Sequence, residues 1–356
     1  MMHRSTQAAT CLPLVIIVAI SLLAVGAVAT NDLSVPGGKI YAAGSGLDML
    51  SQPATVAEII ALTGKPAAQV RVLYLGTATY DDAAAQATQT RQFAKQGCAV
   101  AALAVAVATP SDAAMRAAVG AADVILVSGG NTLFARDRWV KIGLDALMKG
   151  ALARGAVLCG GSAGGIVWFD GGHSDSMDAT TYKNPPGPLL NPNLTKAELE
   201  RAWAYIRVPG LSVVPGLFCP HYDITEGNGV LRAVSFAGMM RRHAGEHALG
   251  VDNWAALRID GANYTVISRA GKPGSVNPET GAYTPDRAKG VPGAWRLGID
   301  PATGALARTL VPARGRVADL LAPARYVTPS EMLGVARLQN PDDGRPPSAT
   351  AVLRVK

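Results

Sequence analysis

Short apolar runs recur along the first half of the chain, most of them closing on glycine or serine and each separated from the next by an amphipathic or alanine-rich stretch. Lys39 to Ala43, Val70 to Leu75, Asp123 to Val127 and Ala156 to Cys159 have the strand signature, and Ala99 to Ala108 is a fully apolar run. Between them, Val56 to Leu62, Asp81 to Gln96, the segment from Ser111-Asp112 through Val119, and Thr132 to Lys149 are patterned as helices. Asp81-Asp82 and Ser111-Asp112 stand where carboxylates and hydroxyls satisfy the free N–H groups of a first turn. Continuous apolar strands alternating with helices predict an α/β fold, a mostly parallel sheet with helices on both faces. Ligands of such sheets bind outside the carboxyl ends of the strands. The informative residues are therefore Gly44-Ser45-Gly46, Gly76-Thr77, Ser128-Gly129-Gly130-Asn131, Gly160-Gly161-Ser162 and Pro220-His221.

Beyond residue 170 the texture changes. Asp170 to Pro192 is rich in Gly, Pro, Asp and Ser and reads as a long loop, with the sheet pattern resuming at Leu217. Glu226 to Arg242 reads as a helix and His247 to Val251 as a strand. Trp254 to Ile259 and Tyr264 to Ser268 flank Asp260-Gly261-Ala262-Asn263, a hairpin signal. Residues 271–325 show few periodic runs and read as surface elaborations of the same domain. Residues 1–29 have the layout of a secretory signal: basic His3-Arg4, apolar Leu12 to Leu23, and the small-residue site Ala27-Val28-Ala29. The expected organisation is a signal at 1–29, a single domain at 30–335 with its core at about 39–270, and a tail at 336–356. An uncleaved membrane anchor is the alternative for the first segment.

Composition narrows the class. Of the 356 residues 49% are hydrophobic and only 17% charged, which excludes a disordered chain. The net charge is +7, but the basic residues are scattered and aromatics are only 5%, so no nucleic-acid stripe forms. Of the four cysteines Cys11 lies in the signal; Cys98, Cys159 and Cys219 are too few for a disulfide framework and read as small buried residues. No metal-ligand spacing and no cofactor loop is expected. Asn193-Leu194-Thr195 and Asn263-Tyr264-Thr265 fit the glycosylation sequon, a weak signal.

Gly160-Gly161-Ser162-Ala163-Gly164 follows a strand and precedes a helix-compatible segment, the context of a nucleophile elbow. The turn is too tight for Cβ atoms beside the serine, and it raises the hydroxyl above the sheet. Ser128-Gly129-Gly130-Asn131-Thr132 ends the preceding strand and could place its N–H groups beside Ser162, with Asn131 also able to cap the next helix. A serine nucleophile needs a base. His221, after Leu217-Phe218-Cys219-Pro220, stands at the same sheet edge, whereas His173 lies in the polar loop and His243 and His247 bracket a helix end.

In order and spacing, Gly129-Gly130-Asn131-Thr132, Gly161-Ser162-Ala163-Gly164 and Pro220-His221-Tyr222 resemble the peptidase E (aspartyl dipeptidase) family of serine peptidases, which also contains the cyanophycinases. The likeness runs from about residue 39 to residue 270. It implies a flavodoxin-like fold akin to class I glutamine amidotransferases, with nucleophile Ser162, base His221 and an oxyanion hole from Gly130 and Ala163. For the third triad member it implies an acid, with Asp252 in Asp252-Asn253-Trp254 preferred over Asp175 and Asp178 in the loop after the nucleophile. It also implies that Arg232, in the helix after the histidine, and Asn131 bind substrate, Arg232 pairing with an N-terminal aspartate. The glutamine-bearing segment of the cyanophycinases is absent, Phe218-Cys219-Pro220 standing there instead.

The expected activity is thus hydrolysis of short peptides, with N-terminal Asp-X dipeptides as the specific case, in a secretory compartment and without nucleic-acid or membrane partners. An α/β-hydrolase esterase shares the elbow, but that fold runs Ser, acid, His, whereas His221 precedes Asp252 here. A non-catalytic secreted binding protein on an amidotransferase-like fold is the second class of reading. Oligomeric state is not legible.

Overall fold

The computed structural model describes residues 38–184, 189 and 192–321, all within one compact unit. The expected signal at 1–29 and tail at 336–356 lie outside the described residues. In chain order the strands are β1 Lys39–Ala43, β2 Arg71–Leu75, β3 Ala99–Ala102, β4 Val124–Val127, β5 Val157–Gly161, β6 Phe169–Ser174, β7 Ile206–Pro209, β8 Val214–Cys219, β9 Ala248–Val251, β10 Ala255–Asp260, β11 Asn263–Ser268, β12 Ala294–Ile299, β13 Leu306–Leu310 and β14 Arg314–Arg316. The helices are α1 Pro53–Thr63, α2 Ala83–Lys95, α3 Asp112–Ala121, α4 Thr132–Ile142, α5 Leu144–Ala153, α6 Ala163–Ile166, α7 Lys196–Leu199, α8 Arg232–Arg242 and α9 Val317–Leu320.

The first half folds as its patterning predicts. Strands β1, β5, β4, β2 and β3 lie side by side in that order, all parallel. The apolar runs of β1, β2, β4 and β5 are buried on both faces, while β3 at the edge is largely exposed: one face packs Ile40, Ile125 and Leu158 against Trp139 and Met148, the other packs Tyr41, Val72 and Leu126 against Ile59 and Phe93. The caps act as expected, Asp82 accepting from Ala85 N at 2.7 Å and Ser111 from Ala114 N at 3.2 Å. Residues 132–149 differ: Gly143, with φ 73°, ends α4 in a left-handed cap and α5 restarts beyond it. The predicted hairpin is β10–β11, antiparallel, and it extends the sheet from β1.

The second half departs from the sequence reading in two places, and both matter for the site. The segment after the nucleophile, expected to be a loop from Asp170, begins as strand β6 in a second, six-stranded sheet ordered β13-β12-β9-β8-β6-β7. Its glycines suggest a loop but serve close packing: a Cβ on Gly171 would overlap the Val208 carbonyl, and one on Gly172 the Phe218 carbonyl. Asp170 is spent on the backbone, accepting from Gly216 N at 2.8 Å. Residues 271–321 are likewise no mere surface elaboration. Strand β12 pairs with β9, and Val276, Trp295 and Leu297 are buried against Phe236 and Met240 of α8. Helix α8 itself is shorter than expected, because Gly227-Asn228-Gly229 forms a turn, with Gly229 at φ 75°. Cys98, Cys159 and Cys219 are free and buried, as their sparse pattern predicts.

Candidate active site

The two sheets meet where the carboxyl ends of β1, β4 and β5 face those of β8 and β9. His221 N donates to Gly44 O at 3.2 Å, and Ser162 N to Ala43 O at 3.3 Å, so the end of β1 ties both residues to one place. A Cβ on Gly44 would overlap the Asp252 carbonyl, which is why the turn after β9 can lie against β1. Ser162 and His221, both partly exposed, line one cleft of about 430 Å³ with Ser45, Thr79, Gln89 and Gly130.

Ser162 has φ 56° and ψ −124°, a conformation that L-residues pay for and that persists only where the surroundings enforce it. Here α6 enforces it from one side, Gly165 N and Ile166 N donating to Ser162 O at 2.9 and 3.1 Å. The glycines enforce it from the other, since a Cβ on Gly164 would overlap the Val127 carbonyl. The Ser162 hydroxyl does not cap α6 and is left to the cleft. Gly130, at φ 113°, carries the adjacent turn over the Ala78 carbonyl, which any Cβ would strike. Among the described residues neither the Gly130 N–H nor the Ala163 N–H donates to another group of the protein. Two free backbone donors beside a strained serine are the equipment of an oxyanion hole.

His221 is itself at φ 46°. Its Nδ1 lies 2.6 Å from Asn253 Oδ1. An amide oxygen only accepts, so Nδ1 carries the proton and Nε2 keeps its lone pair. Burial lowers the His221 pKa, with the Arg232 charge adding to the effect and Glu226, the Asn253 bond and Asp175 opposing it. A lowered pKa keeps the ring neutral, the form a base requires.

The expected third member, Asp252, does not reach the histidine. Its carboxylate accepts from Ser275 N and Gly293 N, each at 2.9 Å, and from Ser275 Oγ at 2.8 Å, inside the protein. Burial first, then the neighbouring Asp223, raises its pKa. The reason is parity: adjacent residues leaving a strand point to opposite sides, and it is Asn253 that faces His221. Of the loop aspartates, Asp178 is spent on Thr180 N at 2.8 Å. Asp175 lies near enough to influence His221 electrostatically but makes no hydrogen bond to it.

The two expected substrate ligands are also engaged elsewhere. Asn131 is fully buried, caps α4 by accepting from Phe134 N at 2.9 Å, and donates to Thr181 Oγ1 at 2.9 Å. Arg232 is 1% exposed; it donates to His173 O at 2.7 Å and to Glu226 Oε1 at 3.3 Å. A substrate carboxylate would compete with Glu226 for it. His173 stands on β6, fully buried and stacked on Tyr205, away from the cleft. Sequence reasoning missed Asn253, Glu226 and Asp48, which accepts from Asn253 Nδ2 at 2.8 Å. Asn253 was visible beside Asp252, but a carboxylate is the more familiar partner of a catalytic imidazole.

The model of peptidase family S51 matches residues 40–267, more than half of the chain. The chain is 31% identical over 255 residues to a Trypanosoma brucei brucei protein named G2/mitotic-specific cyclin-1, covering 65% of this chain and 75% of that one. It is 36% identical over 101 residues to the uncharacterized peptidase YgaJ of Bacillus subtilis (strain 168), covering 28% of this chain and 33% of that protein's length. Among solved structures it is similar to one described as a peptidase E protein from Listeria monocytogenes EGD-e, at a TM-score of 0.45 and 18% identity over 65% of this chain and 98% of that one. The family match spans the strands that carry Ser162, His221 and both glycine turns, and the chain belongs to peptidase family S51, a family of serine-type peptidases.

Proposed function

We propose that the protein hydrolyses short peptides through an acyl-enzyme on Ser162, with His221 as the base and Asn253 as the residue that orients it. The observation that carries this reading is the pairing of a strained, cleft-facing Ser162 with a His221 whose Nδ1 is already committed to Asn253. In this scheme His221 Nε2 takes the Ser162 hydroxyl proton as Oγ attacks the scissile carbonyl. The tetrahedral oxyanion accepts from the Gly130 and Ala163 N–H groups. The imidazolium then hands its proton to the departing amine, and water repeats the sequence on the acyl-enzyme.

The side chain preferred before the scissile bond depends on Arg232. A preference for N-terminal Asp-X would need its guanidinium open to the cleft, and the Glu226 pairing speaks for a neutral residue there instead. The layout of residues 1–29 supports a secretory compartment as the place of action. The test is a library of free and blocked peptides with the full chain and with Ser162→Ala. Hydrolysis of short peptides by the wild type, lost in Ser162→Ala with folding intact, is the expected result. Equal turnover by the variant would remove Ser162 from the mechanism.

A further inference from the structure

We propose that Asp48 is a positioning residue for hydrolysis: its carboxylate fixes which end of the Asn253 amide faces His221. The inference rests on the serine-peptidase reading of Ser162 and His221 and adds to it a residue outside the expected triad.

Asp48 lies in the turn after β1, 205 positions from Asn253 in sequence, and the fold brings the two together. A carboxylate can only accept, so Asp48 Oδ2 selects the NH₂ end of Asn253 at 2.8 Å. The opposite end of the amide is then necessarily oxygen, and that oxygen meets His221 Nδ1 at 2.6 Å. Each link sets the polarity of the next, so the Nδ1–H tautomer follows from Asp48. Without the carboxylate, Asn253 could turn its amide over, present N–H to Nδ1, and select the tautomer whose Nε2 bears a proton and cannot act as base.

The surroundings leave the amide this single freedom. Asn253 is 4% exposed, and its own N–H is held by Asp223 Oδ1 at 2.7 Å, with Arg287 Nε on the other Asp223 oxygen at 3.1 Å. Asp48 is fixed from behind by its N–H to Ser45 Oγ, 2.9 Å, with Ser45 among the residues that line the cleft. The carboxylate also sets a negative charge one amide away from the ring, where an imidazolium forms during turnover. Arg232, Glu226 and Asp175 also bear on this ring, Arg232 lowering its pKa and the two acids raising it. Asp48 thus supplies through Asn253 the charge that an acid in the third position would supply directly.

The test uses the full chain and a fluorophosphonate probe, which reports Ser162 nucleophilicity without a known peptide. Asp48→Asn is expected to slow labelling by about 10-fold or more, by analogy with the loss when a triad imidazole takes the wrong tautomer. Its acid limb should move to lower pH, because the imidazolium loses a stabilising charge. Asn253→Asp alone puts two carboxylates against one another and should also label slowly. The exchange Asp48→Asn with Asn253→Asp restores one carboxylate and one amide in a continuous chain, and should recover most of the labelling rate. Asp48→Asn with the wild-type rate and pH profile would overturn the proposal, as would an exchange variant no faster than either single one. A wild-type chain that takes no label at all would overturn the serine-peptidase reading and this inference together.

Discussion

His221 Nδ1 sits 2.6 Å from Asn253 Oδ1, while the side chain of Asp252, one residue earlier, points the other way to Ser275 and Gly293. One step along the backbone separates a residue that faces the chemistry from one that closes the interior. The acid that sequence reasoning would place beside the histidine holds the residue 271–295 segment against the second sheet instead, through Ser275 and, behind it, Trp295 Nε1 at 2.7 Å.

Asn253→Ala should therefore lower kcat strongly, by about 10²-fold or more, since the imidazole loses its orienting partner. Asp252→Asn should leave kcat within a few-fold, because it does not touch His221. Its cost belongs in stability, where a buried acceptor of several hydrogen bonds is altered at about 1–3 kcal/mol. Steady-state kinetics with thermal denaturation separates the two effects. A large kcat loss in Asp252→Asn with normal Asn253→Ala kinetics would reverse the assignment.

Gly130→Ala tests the oxyanion hole. At φ 113°, with the Ala78 carbonyl where a Cβ would stand, the turn must move to accept a methyl group. Displacing one donor from the hole should cost about 10²–10³ in kcat, with KM changing far less. A variant with unchanged kcat would show that the Gly130 N–H is not used.

Specificity turns on whether Glu226 keeps Arg232. With the pair intact, Asp-X and Asn-X dipeptides should be hydrolysed at rates within a few-fold of one another. Glu226→Gln leaves the shape but weakens the hold, and it should shift preference toward Asp-X, up to the roughly 10-fold that a charge-assisted contact of about 1.5 kcal/mol confers. A wild-type preference for Asp-X of that size or more would mean that substrate displaces Glu226 and that Arg232 reads the aspartate after all.

The pH dependence has a definite sign. Burial, reinforced by Arg232, lowers the His221 pKa, and only the neutral ring is a base. The acid limb of kcat/KM should thus lie below the ordinary imidazole value of about 6.5. His173, fully buried, is lowered well below that value by burial and by Arg232 and Arg242. A depressed histidine binds its proton more readily in the unfolded chain, so stability should fall as pH drops from about 6.5 toward the folded values. Thermal unfolding followed across that range in the wild type and in His173→Gln gives the check, the variant having the flatter slope.

How much of this was readable before the fold follows from the range of each interaction. Local patterning determined β1 to β5, the helices between them and the β10–β11 hairpin, because apolar alternation, caps and turn residues act within a few positions. It also singled out Ser162, His221 and the Gly129-Gly130 turn, because tight turns at strand ends leave few choices of residue. The second sheet was hidden, since the glycines of β6 that read as loop serve backbone packing against strands distant in sequence. The charge state of the cleft was hidden as well. Whether Arg232 is open to substrate depends on Glu226, and whether His221 is oriented by Asp252 or Asn253 depends on which side of β9's end faces β1. Asp48 could not be paired with Asn253 from sequence at all, because only the closure of two sheets brings residues 205 positions apart within 2.8 Å.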